Sequence, residues 1–224
     1  MQRFLQSIAV AALAAAALSA AGCNYLIPGM WIVQGAPKKP AAYTLPKDRK
    51  LVVFVDDRKN VVSRLQLRAM LADDVGTVIK KEGLVEDVVS GRELISYVRR
   101  NETSSKRVSI EELGNAVGAE LVLYIEMETF ALSVDGASPK PRASAFVKVV
   151  DCKAKERLFP PVGADPKGFA VSAELIDVNF DAYKTSATRR ALEDQLEKKL
   201  ADMVSKTFYD HEEKAFGQGV STPR

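Results

Sequence analysis

The 224 residues are 47% hydrophobic and 27% charged, an ordinary globular balance with enough apolar material for one core. Thirty-two basic and 29 acidic residues leave a net charge of only +3, which excludes the strong field of a nucleic-acid-binding protein. A single histidine (His211) and two cysteines (Cys23 and Cys152) leave almost nothing for a transition-metal site or a histidine-based triad.

The chain opens Met1-Gln2-Arg3, followed by an apolar run from Phe4 to Ala21 and small residues at its end. Charge, apolar segment and small residues come in the order of an export signal. A membrane helix needs about 20 strongly apolar residues. This run is mostly alanine, interrupted by Gln6, Ser7 and Ser19, so a removable signal is expected over residues 1–22. Ala20-Ala21-Gly22-Cys23 resembles the lipobox of bacterial lipoproteins, with Ala20 where leucine is usual. The resemblance implies cleavage between Gly22 and Cys23 and acylation of Cys23; the alternative is an ordinary secretory site beside a cysteine. Each buried CH₂ adds about 0.8 kcal/mol of membrane affinity, and stable anchoring takes more than one chain, as in a multiply acylated cysteine. A lipidated Cys23 leaves Cys152 without a partner, and hence a domain without a disulfide. Asn24, by the same resemblance, directs the protein to the outer membrane, with the domain in the periplasm.

Residues 23–49 contain Pro28, Pro37, Pro40 and Pro46 and read as a lipid-anchored tether. The apolar cluster within it, Tyr25 to Val33 with Trp31, either contacts the bilayer surface or packs back on the domain. The folded domain is expected over residues 50–216, with a loose tail over 217–224. Leu51 to Val55 is a nearly continuous apolar run, suited to a strand buried on both faces. After the polar turn Asp56 to Asn60, with Asn60 a candidate N-cap, Leu65, Ala69, Ala72, Val75 and Ile79 recur at helical spacing up to Gly83. Residues 84–90 read as a second strand. Ser90 with Glu93 and Ser109 with Glu112 both match a capping box, and the second helix ends at Gly118. Residues 119–134 alternate as a long strand, with Leu121, Leu123, Ile125 and Met127 on one face and Tyr124, Glu126 and Glu128 on the other. A turn from Asp135 to Pro141 and a strand over 144–151 complete an antiparallel hairpin. Two shorter strands follow over 156–160 and 169–176. Leu192, Leu196, Leu200, Val204 and Phe208 then mark a long terminal helix starting near Thr185 or Ser186. The fold class is α/β (α+β): a mixed sheet packed by amphipathic helices.

The segment Leu113 to Met127 resembles the helix–Gly-Ala–strand joint of a family of periplasmic α/β domains, and Val147 to Phe159 resembles their next hairpin. The family includes the lipoprotein activators of penicillin-binding proteins (LpoB-like), the curli-secretion lipoprotein and the N-terminal domain of TolB. Ala154-Lys155 stands where that hairpin usually carries Thr-Gly. The resemblance covers about Lys50 to Tyr209 and implies a non-catalytic envelope lipoprotein that works by contact with other proteins. Activation of a peptidoglycan synthase is one such role, and membership of a secretion or transport assembly is another. A small-ligand-binding envelope enzyme is the competing class.

Few residues suggest chemistry. Asp56 and Asp57 follow a strand and precede a helix, where α/β proteins bind ligands, but one pair supplies too few groups for a metal ion. The simpler reading is a solvated turn, and the pair stands as a candidate ligand or partner site. His211 is expected near the terminal helix C-terminus, where it suits the dipole. Cys152, in a polar turn region with no paired His motif, reads as structural or incidental rather than as a reactive thiol. Glu126 and Glu128 are about 7 Å apart along one strand face, a separation used by inverting glycosidases. A cross-strand pair with Lys148 is the simpler expectation. No catalytic residue, metal or cofactor is assigned; the expected partners are membrane lipid through Cys23 and an envelope protein, with no nucleic acid.

Overall fold

A computed structural model describes residues 38–103, 106–133 and 138–212. The signal, Cys23 and the apolar cluster 25–33 lie outside the described residues. Residues 41–209 form one compact unit. A second unit holds the two-residue strands β1 (Lys38–Lys39) and β8 (His211–Glu212), which pair antiparallel.

In the larger unit, strand β2 (Leu51–Asp56) is followed by helix α1 (Leu65–Lys81) and strand β3 (Val88–Val89). Helices α2 (Arg92–Asn101) and α3 (Ile110–Ala116) lead into the hairpin β4 (Leu121–Ala131) and β5 (Arg142–Asp151). Strands β6 (Glu156–Phe159) and β7 (Phe169–Glu174), a 3₁₀ turn at Phe180–Tyr183 and helix α4 (Ser186–Lys206) complete it. The mixed sheet runs β3-β2-β4-β5-β6, with β2 parallel to both neighbours and the later strands antiparallel. β7 pairs with Arg142–Val147 of β5 and β6 with Val149–Asp151.

Alternation sends successive side chains to opposite faces. One face, carrying Leu51, Val53, Val55, Leu121, Leu123, Ile125 and Met127, packs against α1 and α4. The other, carrying Val52, Phe54, Val122 and Tyr124, packs under α2 and α3. β2 and the first part of β4 are therefore buried on both faces, so Tyr124 lies in a second core rather than on a mixed surface. The packed unit also takes in residues ahead of Lys50: Leu45 is buried, and the Tyr43 ring stacks on Phe159.

Several local signals act as expected. Ser109 and Glu112 form a complete capping box, Gly118 stops α3 at φ +68°, and Thr185 caps α4 through a box closed by Thr188. Other expectations are corrected. Asn60 does not cap α1: it occupies the left-handed position of a turn closed by its N–H to the Asp57 carbonyl, and the N-cap is Arg64, four residues later. Leu65 is consequently exposed, and the buried stripe of α1 is Leu67, Leu71, Val75, Gly76 and Ile79. The N-cap of α2 is Gly91, not Ser90, because the chain approaches the Val53 carbonyl so closely that a Cβ there would stand 2.7 Å from it. Only Val88–Val89 of the expected strand over 84–90 pairs with the sheet. His211 lies beyond α4, in β8. The carbonyl of the C-cap, Thr207, instead accepts the Ala42 and Tyr43 N–H groups.

Candidate functional site

β2 connects to β3 through α1 on one face of the sheet, and β3 to β4 through α2 and α3 on the other. The connections diverge at the C-terminal ends of β2 and β4, the position where open α/β sheets leave a crevice for ligands. A cavity of about 230 Å³ lies there. Phe54, Val98, Val108 and Leu113 form its apolar wall, and Asp56, Asp57, Arg58, Arg68, Glu102 and Tyr124 its polar groups.

The two candidate carboxylates have different tasks. Asp57 is only 9% exposed, and its oxygens accept the Val61 and Val62 N–H groups at 2.8 and 3.0 Å. It is a turn-forming residue rather than a solvated one. Asp56 accepts the Arg58 Nε–H at 2.5 Å and the Tyr124 hydroxyl. Burial, then the hydrogen bond to Asp56, raises the Tyr124 phenol well above its ordinary range, so it acts as a fixed donor. Arg68 donates to the Val55 carbonyl at 3.1 Å. Arg58, Arg68 and Tyr124 escape sequence reasoning because each is unremarkable in its own segment; only the β2–β4 register and the turn of α1 bring them to one crevice.

The remaining candidates resolve into structure. Lys148 Nζ stands 3.9 Å from Glu126, and Lys59 Nζ 2.5 Å from Glu128, so the two glutamates serve separate ion pairs. A register shift between Met127 and Thr129 separates them further from a common task. Burial pushes the Cys152 thiol up to about 11, which keeps it protonated and inert. Its sulfur lies against Gly114, where a Cβ would come within 2.2 Å. Among the described residues no group of three His, Cys, Asp or Glu side chains is placed to hold a metal ion, and no helix is long and apolar enough to cross a membrane. A larger cleft of about 360 Å³ lies between α1 and the β3–α2 turn, where the facing charges Asp73 and Arg92 pair at 3.2 Å.

The sheet also presents an uncovered area. Among the described residues the core under α2 and α3 takes in β2, β4 and Cys152 but no side chain of β7 or of β5 from Arg142 to Val149, although α3 also touches β5. The uncovered area presents Ser144, Phe146 and Lys148, half-buried, with Ala170, Ser172 and Glu174, exposed.

No family model matches the sequence, and no curated protein matches it. Solved structures similar to it include the PelC dodecamer from Paraburkholderia phytofirmans, at 11% identity and TM-score 0.43 over 78% of this chain and 98% of that one. Lipoprotein GNA1162 from Neisseria meningitidis is 16% identical, with TM-score 0.39 over 70% of this chain and 99% of that one. The LpoB C-terminal domain from Escherichia coli is 15% identical, with TM-score 0.33 over 66% and 93%. An LpoB domain thus stands among the similar structures, as the sequence resemblance implies. At these identities and TM-scores the likenesses carry no argument about function.

Proposed function

We propose that the chain is a non-catalytic envelope lipoprotein that works as an adaptor or assembly factor. In this reading Cys23 is acylated and holds the protein at the outer membrane facing the periplasm, and the residues between Cys23 and the packed unit that begins at Ala41 give the domain reach. Confinement to a membrane surface raises the effective concentration of a partner there without new contacts. The observation that supports protein contact is the uncovered face of β5 and β7. Sheets in α/β domains ordinarily carry helices on both faces; here half of one face displays small and polar side chains around Phe146. A peptidoglycan synthase is one partner class, and a secretion or transport assembly is the second.

The test is a photo-crosslinking residue at Ser172 of the full, lipidated chain in cells, with Lys199 on the exposed side of α4 as control. Specific protein adducts from position 172 and not from 199 are expected. Mass spectrometry of the adduct separates the partner classes, and no adduct from the open face refutes the adaptor reading. Cys23→Ala is expected to release the protein from membranes; retention after a carbonate wash refutes the anchor.

A further inference from the structure

We propose that the cavity between the ends of β2 and β4 binds a small organic carboxylate with an apolar body. The lining carries Asp56, Asp57 and Glu102 with Arg58 and Arg68; two of the carboxylates are already engaged, and the donors left over on the two guanidiniums favour an anion. Asp57 is turned to the Val61 and Val62 N–H groups, and Asp56 is held by Arg58 and Tyr124. Arg68 has no carboxylate partner among the described residues, and its buried Nε makes no hydrogen bond. A half-buried guanidinium without a counter-charge is costly, and an anion in the cavity beside it offsets part of that cost through its charge.

Arg58 supplies the recognition geometry. Its Nε is engaged by Asp56, which fixes the plane of the guanidinium, while its terminal nitrogens make no hydrogen bond among the described residues. Two parallel N–H groups on a fixed plane match a carboxylate bidentately. Asp56 and Glu102 at the same cavity disfavour a more highly charged anion such as phosphate. Phe54, Val98, Val108 and Leu113 line the rest, so the remainder of the ligand is apolar. At about 30 Å³ per water displaced, a volume of 230 Å³ corresponds to about eight waters, the scale of a small aromatic acid.

Phenylacetate is a suitable probe, titrated calorimetrically into the full-length lipidated protein in detergent, with 2-phenylethanol and inorganic phosphate as comparators. At ordinary ligand efficiency its Kd is expected near about 1 mM, with both comparators at least about tenfold weaker. Arg58→Gln removes the bidentate donor and Val98→Phe fills the apolar end; each is expected to weaken binding at least about tenfold with an unchanged melting curve. Arg58 is well exposed, so that variant keeps the test valid if Val98→Phe does not fold. No saturation by about 20 mM, equal binding by the alcohol or by phosphate, or undiminished binding in Arg58→Gln overturns the assignment.

Discussion

Glu197 lies on α4, 1% exposed, with no hydrogen bond to either carboxylate oxygen among the described residues. Burial, followed by the negative charge of Asp74 on α1, pushes its pKa from the ordinary 4.5 up to about 8; Lys198 opposes the shift and Asp194 adds to it. The folded domain therefore holds this proton where the unfolded chain has lost it. The stability it allows is complete below the unfolded value and is lost as pH rises through the folded one. At about 1.4 kcal/mol per pH unit, the loss reaches about 3 kcal/mol at pH 7 and about 5 kcal/mol above pH 8. Glu197→Met fills nearly the same volume without a charge. It is expected to stabilise the domain by about 3 kcal/mol at pH 7, or about 6–12 °C in melting temperature for a domain of this size. Glu197→Gln separates the two contributions: it removes the pH dependence but keeps a buried polar group without partners. The assay is urea denaturation of wild type and both variants from pH 4.5 to 9. If the wild-type stability is flat over that range, or if Glu197→Met is less stable at pH 8, the reasoning fails.

Asp57→Ala leaves two turn N–H groups without an acceptor and is expected to cost about 2–3 kcal/mol in urea denaturation; a change below about 0.5 kcal/mol refutes the turn-forming role. Gly114→Ala sets a Cβ 2.2 Å from the Cys152 sulfur and 2.9 Å from Val122, for an expected cost of about 1–3 kcal/mol. Adding Cys152→Ala recovers part of that loss if the close approach is its cause. The Arg49 guanidinium, 2.6 Å from Asp151, holds that carboxyl well below the usual carboxylate range, assisted by the Lys153 and Ala154 N–H groups. This stability is present above about pH 4 and lost as pH falls further. Arg49→Met is expected to cost about 1.5–3 kcal/mol at pH 7 and to flatten the acid side of the stability profile between about pH 4 and 2.

The fold was legible wherever its cause lay within one segment. The Ser109 box, the glycine stop at Gly118, the terminal helix and the β4–β5 hairpin each depend on residues only a few positions apart or on one alternating pattern. The candidate site was legible only as the pair Asp56 and Asp57. Ser90 and Asn60 carry the same local signature as residues that do cap helices. They differ in what the rest of the chain does there: Gly91 presses on Val53, and Asp57 has already drawn the backbone into a turn.

The sequence alone determined where most elements lie, because periodicity and capping are properties of a single strand or helix. Tertiary structure decided which faces are buried and which charges meet. The four-residue leucine stripe of α4 predicts one narrow buried face. The helix instead lies against both α1 and the β5–β7 part of the sheet, which buries Leu196 with Glu197, Leu200 with Ala201, and Val204 with Ser205. In the same way Tyr124 and Arg68, 56 residues apart, come to one cavity only because β4 pairs with β2 and α1 folds back beside it. Burial and coupling of this kind depend on contacts across the fold, and no local pattern encodes them.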